Sequence, residues 1–147
     1  MIRVQADKFD PGRELNQFTA NHTNMGAVVS FTGHVRDAST DETVNRLELE
    51  HYPGFTEAEI AKIEEQALTR WSGIRTLIIH RYGTLSPGEP IVFVATASPH
   101  RKDAFEAATF LMDYLKTDAP FWKKECRSDG EHWIEPRKSD RTARESW

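Results

Sequence analysis

Arg36, His100, Arg101, Lys116, Lys123 and Lys124 are the residues whose side chains suit work on an anion. Such a cationic set holds a negatively charged substrate and stabilises negative charge that develops during its reaction. Lysine ordinarily titrates near about 10.4. Crowded beside other cations and partly buried, it falls far enough to move protons or to act as an amine nucleophile. Other chemistries have less support. The histidines are scattered, with no HExxH and no CxxC, so no metal is expected. Cys126 is the only cysteine, and a lone thiol beside aromatic residues reads as a small packed side chain rather than a nucleophile. No serine elbow, P-loop or GxGxxG is present, so no nucleotide or other cofactor is expected.

One helix positions most of this set. Ser98 reads as its N-cap and Pro99 as its first residue, which places His100 and Arg101 in the first turn. An arginine there opposes the helix dipole unless an anion occupies the site. Ala104, Ala108, Leu111 and Leu115, with Phe105 and Met112 alongside, form an apolar stripe at helical spacing. Lys116 ends the helix, where dipole complementation alone would also explain it. Pro120 bars continuation, and Phe121 to Cys126 reads as a strand. Alternation sends Lys123 and Lys124 to opposite faces, so at most one readily shares a pocket with Lys116. On these residues alone, an anion site gathered around both ends of the helix competes evenly with ordinary solvated charges.

The remaining elements follow from local signals. Ile2 to Val4 reads as a short strand, and Asp10-Pro11 opens a brief helix carrying Leu15 and Phe18. Gly26 to Gly33 is a short apolar run bracketed by glycines, read as a buried strand that emerges into His34-Val35-Arg36-Asp37. Ala38 to Thr43 is polar and reads as mobile, and Val44 to Tyr52 alternates as a half-buried strand. Thr56 and Glu59 form a capping-box pattern for a helix buried through Ile60, Ile63, Ala67 and Trp71 and closed by Gly73. Strands at Arg75–Tyr82 and Ile91–Ala97 flank a turn at Ser86–Glu89; a turn at Ser128–Gly130 leads back through His132 to Glu135. The tail from Arg137 to Trp147 is polar, either disordered or held by a partner protomer, and Trp147 favours the second. The fold class is α+β, a single domain over 1–147 with mixed or antiparallel sheets.

Composition narrows the partners. The chain has 147 residues, is 29% charged and 38% hydrophobic, and carries a net charge of -4, which argues against general nucleic-acid binding. No apolar run reaches membrane-spanning length and no signal-peptide core opens the chain, so neither membrane nor export is expected. With a single cysteine, the cytoplasm is the expected compartment.

Three blocks carry a family resemblance: Phe31-Thr-Gly-His-Val-Arg-Asp37, Ser98-Pro-His-Arg101 followed by Ala104-Phe105, and Tyr114-Leu-Lys-Thr-Asp-Ala-Pro-Phe-Trp-Lys-Lys-Glu125. In this order they resemble the large, catalytic subunit of molybdopterin synthase, and the likeness spans nearly the whole chain. The resemblance implies a sulfurtransferase of molybdenum cofactor biosynthesis. Its substrate would be cyclic pyranopterin monophosphate, converted to the dithiolene of molybdopterin. Both sulfurs would come from the C-terminal thiocarboxylate of a small ubiquitin-like sulfur-carrier subunit. The large subunit would form a homodimer that binds two small subunits, a heterotetramer. Lys116 and Lys123 would be catalytic. His34, Val35, Arg36, His100, Arg101, Lys124 and Glu125 would line the substrate pocket with them, and Arg137 would reach the pocket of the opposite protomer. The competing class is a non-catalytic anion-binding or partner-docking module built on the same cations.

Overall fold

The computed structural model describes residues 1–39 and 42–147; the middle of the polar segment 38–43 therefore lies outside the described residues. A four-stranded sheet, ordered β1-β5-β7-β2, forms the centre. Its strands are β1 (Ile2–Gln5), β2 (Ala27–His34), β5 (Arg75–Arg81) and β7 (Pro90–Ser98). β1 pairs parallel with β5, and β5 and β2 both pair antiparallel with β7. Because β5 and β7 are covered on both faces, they read as continuous apolar runs rather than alternating ones.

The faces separate by alternation. Ile78, Val92 and Val94 pack against α2 (Phe55–Arg70) and α3 (Arg101–Thr117), meeting Ile60, Ile63, Ala107, Leu111 and Leu115. Leu77, Ile79, Phe93 and Ala95 pack against Phe18 of α1 (Pro11–Asn21), which Asp10 caps through the Gly12 and Arg13 N–H groups. A second sheet joins β3 (Ala38–Ser39), β4 (Glu42–His51), β8 (Phe121–Arg127) and β9 (Gly130–Ile134), with β6 (Gly83–Leu85) added on β4. Leu47, Leu49 and Leu85 bury one of its faces with Val35. The expected α+β class with mixed and antiparallel sheets is what the structure has.

Three local expectations are corrected. The N-cap of α2 is Gly54, whose N–H donates to Glu57 at 2.6 Å, rather than Thr56 with Glu59. Gly54 has φ +83°, a conformation that favours glycine, so the turn after Pro53 sets the cap. Thr56 is instead buried: its hydroxyl accepts from the Tyr52 N–H at 3.0 Å and donates to the Pro120 carbonyl at 3.4 Å. The N-cap of α3 is His100 rather than Ser98, because β7 stays extended through Ser98. Phe105 lies outside the apolar stripe of α3 and is 60% exposed.

The tail folds as α4 (Lys138–Glu145) against α3 of its own chain. Arg144 grips Asp118 through two nitrogens, and Trp147 donates its indole N–H to Asp113 at 2.7 Å. The Trp147 ring meets Trp71 and Phe110 edge-on. The aromatic end anticipated in sequence thus has an anchor within the chain.

Candidate functional site

Lys116 and Lys123 converge because α3 folds back along β7. Near the helix start, the Thr96 hydroxyl donates to the Ala104 carbonyl at 2.7 Å. Near its end, the charge of Lys116 reaches His80, whose ladder partner on β7 is Val92. The chain then turns through Pro120 into β8, and Lys123 comes up beside Lys116. Lys123 is half-buried, and burial holds its amine down at about 8, with the Lys116 ammonium adding to the effect. Asp140 of α4 acts in the opposite direction. Lys116 itself is exposed in the last turn of α3. An amine near 8 beside a fixed cation suits proton transfer and stabilisation of developing anionic charge.

Lys124 faces the other way. It pairs with Glu48 at 3.1 Å and Glu131 at 3.4 Å, over the ring of Trp133. The Glu48 carboxylate, first among its causes, raises its amine above the usual lysine range. Glu125 lies on the Lys123 side by alternation and accepts from Arg127 at 2.8 Å. Cys126 is buried and free, in ladder register with Arg46.

The His34–Arg36 segment leaves β2 at the Pro90 end of β7, the same end of the central sheet as Lys116. Backbone bonds pin it to the turn before β7: the Val35 N–H donates to the Glu89 carbonyl at 3.0 Å, and the Gly88 N–H donates to Val35 at 2.8 Å. Glu89 is fixed in turn by the buried Arg81 at 3.0 Å and by Lys8 at 3.0 Å. Lys8 and Arg81, in that order, hold its carboxyl down at about 2. Val35 is buried, whereas His34 and Arg36 are exposed, and Arg36 borders a hollow of about 540 Å³ with Asp37, Pro87 and Gly88.

His100 and Arg101 sit at the other end of α3, both exposed. The His100 N–H donates to the Ser98 hydroxyl at 3.2 Å. With a rise of 1.5 Å per residue, Arg101 and Lys116 are separated by about 22 Å along the axis. One pocket of a single chain therefore does not gather both ends of the helix, which corrects that sequence expectation. Gly26 marks the near approach at this end: a Cβ there would lie 2.7 Å from the Pro99 carbonyl oxygen. Arg137 is the exposed N-cap of α4, its N–H donating to Asp140, the carboxylate that acts on Lys123.

Sequence reasoning missed His80 and His51. His80 is buried and stacks on Phe121 at 3.7 Å, with the ring planes 13° apart. Its signal was a histidine closing the run Leu77-Ile78-Ile79, in phase with the buried Ile78. Among the described residues, no group of three or more His, Cys, Asp or Glu side chains is placed to hold a metal ion.

Comparison with known proteins gives this geometry its context. The family model described as MoaE protein matches residues 4–118. The molybdopterin synthase catalytic subunit of Pseudomonas aeruginosa is 53% identical over 146 residues, covering 99% of this chain and 97% of that protein. The solved molybdopterin biosynthesis MoaE protein of Burkholderia ambifaria superposes with a TM-score of 0.85 at 48% identity, covering 100% of this chain and 97% of that one. Molybdopterin synthase of Staphylococcus aureus gives 0.82 at 36% identity, covering 90% and 95%. The chain belongs to the MoaE family.

Proposed function

We propose that this chain is the catalytic subunit of a molybdopterin synthase, with Lys116 and Lys123 as its working groups. The observation that carries the reading is the pairing of a half-buried Lys123 amine, held at about 8, with the Lys116 cation at the end of α3. The proposed substrate is cyclic pyranopterin monophosphate, and the proposed sulfur donor is the C-terminal thiocarboxylate of a small ubiquitin-like subunit. Sulfur attack opens the cyclic phosphate and expels oxygen, so anionic charge and protons both need handling. A lysine near neutrality delivers or accepts a proton, and its neighbour stabilises charge. Cys126 is buried on the other face of β8 and is single, whereas a dithiolene needs two sulfurs; a separate donor protein fits that arrangement.

Arg36 and Arg101 are the proposed phosphate contacts, since a guanidinium binds such oxygens in a bidentate manner. His34, Val35, His100, Glu125 and Arg137 are proposed to line the pocket, and Lys124, whose amine turns to the other face of β8, is proposed to reach it through its backbone. A homodimer is part of this reading. The length of α3 keeps Arg101 away from Lys116 within one chain, and a second copy offers a route to bring the two groups together. The proposed compartment is the cytoplasm, supported by the single cysteine; among the described residues no helix is long and apolar enough to cross a membrane. The test is to mix the protein with the thiocarboxylated small subunit and cyclic pyranopterin monophosphate and assay the dithiolene product. Product is expected only when all three are present. Its absence with a folded, partner-bound chain would leave the docking-module reading in its place.

A further inference from the structure

His80 lies within electrostatic reach of both lysines, contributed by the central sheet rather than by the elements that carry them. It is buried near the end of β5, and its ring lies flat on Phe121 at 3.7 Å. Phe121 and Lys123 are two residues apart on β8 and share a face. The stack continues: His51, the ladder partner of Phe121, lies 6.4 Å from it with planes 26° apart, and His51 packs on Tyr82 at 4.0 Å. The His80 Nδ1 is 2.8 Å from the Arg81 carbonyl oxygen. A carbonyl only accepts, so Nδ1 carries the proton and the neutral ring has one defined tautomer.

We propose that His80 is a positioning residue for Lys123: its neutral ring, fixed by the Arg81 carbonyl and stacked on Phe121, holds the start of β8 and keeps water from the Lys123 ammonium. Burial keeps His80 neutral, down at about 3, and the charges of Lys123, Lys116 and His51 add to this. The groups that face Lys123 are Lys116 from α3, Asp140 from α4 and His80 from β5. Those that face His80 are Lys123, Lys116 and His51. A ring that stays uncharged adds no third cation to the site, and its flat contact seals the floor.

The inference rests on Lys123 being a working group, but its test reads Lys123 without the reaction. The carbon-13 resonance next to the Lys123 amine, assigned by comparison with Lys123→Arg, is followed against pH in lysine-labelled protein. The wild-type midpoint is expected near 8. His80→Phe, which retains a ring on Phe121, should keep it. His80→Asn, which retains a donor for the Arg81 carbonyl but no ring, and His80→Ala should raise it by about one unit or more as water reaches the ammonium. Thermal unfolding of each variant reports stability separately. A His80 that only stabilises the fold would lower the unfolding midpoint and leave the Lys123 titration in place, and that result overturns the proposal. Should His80→Ala not fold, Phe121→Leu opens the same floor, and an unmoved Lys123 midpoint there is equally decisive. In the partner complex, the pH profile of turnover should shift with the Lys123 midpoint. A moved midpoint with an unmoved turnover profile keeps the positioning role and removes Lys123 from the chemistry, so the two readings fail separately.

Discussion

On β8, Lys123 turns towards Lys116 and the packed rings of His80 and Phe121, while Lys124 turns towards Glu48, Glu131 and the ring of Trp133. The two residues are chemically identical and covalently adjacent, yet their amines move in opposite directions. Burial lowers Lys123, and the Glu48 carboxylate raises Lys124. The difference shows that a reactive amine is made by its surroundings. Both lysines are half-buried, but one face of the strand offers another cation and the other offers carboxylates. The first is costly to fold and suited to chemistry; the second is a half-buried, satisfied ion pair.

The largest expected effect breaks the first face. Lys123→Ala and Lys116→Ala should each lower turnover with the thiocarboxylated partner by about 10²–10⁴-fold, the range for loss of a positioned acid or base. Size exclusion should still find each variant bound to its partner. Lys123→Arg should not recover the activity, because a guanidinium stays charged. Turnover near the wild-type value in Lys123→Ala would erase the distinction between the faces.

Stability against pH sharpens the comparison. With Lys123 at about 8 in the fold and higher in the unfolded chain, the native state binds fewer protons between those values, and stability contributed by this group rises with pH there. Below 8 both states hold the proton and the cost of burying the ammonium is fully present. Lys123→Met should therefore be more stable than wild type at pH 7 by on the order of 1–3 kcal/mol, an advantage that shrinks above pH 8. Urea unfolding at pH 7 and pH 10 measures it, and an unchanged difference between the two pH values counts against a lowered Lys123 amine. Lys124 has the reverse sign: its raised amine supports the fold below the ordinary lysine value and loses that support as pH rises past it.

Changes on the second face should be smaller. Lys124→Ala should lower turnover by no more than a few-fold, and Glu48→Gln should lower the thermal unfolding midpoint only slightly, since the pair is half-buried and still in contact with solvent. A loss in Lys124→Ala as deep as in Lys123→Ala would mean that strand alternation does not divide their roles. Smallest of all, Cys126→Ala should retain full turnover with preformed thiocarboxylate partner. Abolished turnover in a folded Cys126→Ala protein would place sulfur chemistry on this chain after all.

Local rules foresaw much of this arrangement. Asp10 and Pro11 were legible as a helix start, and the period of Ala104, Ala108, Leu111 and Leu115 marked the buried face of α3. The alternation of β8 assigned Lys123 and Lys124 to separate faces before any fold was known. The caps at Gly54 and His100 were misplaced because neighbouring structure competes with cap chemistry. Thr56 is drawn to the Pro120 carbonyl across the chain, and β7 extends through Ser98.

By itself, the sequence determined which residues are cationic, which elements bear them and which family the chain resembles, because these depend on composition, short-range periodicity and motif order. Only the tertiary structure decided which cations meet. Alternation says that Lys123 and Lys124 part, but not which of them meets Lys116; that depends on α3 returning along β7 and on His80 arriving from β5. The distance between Arg101 and Lys116 likewise became visible only when the helix was given a direction in the fold. Burial and proximity arise between segments far apart in the chain, and an amine's proton affinity follows both.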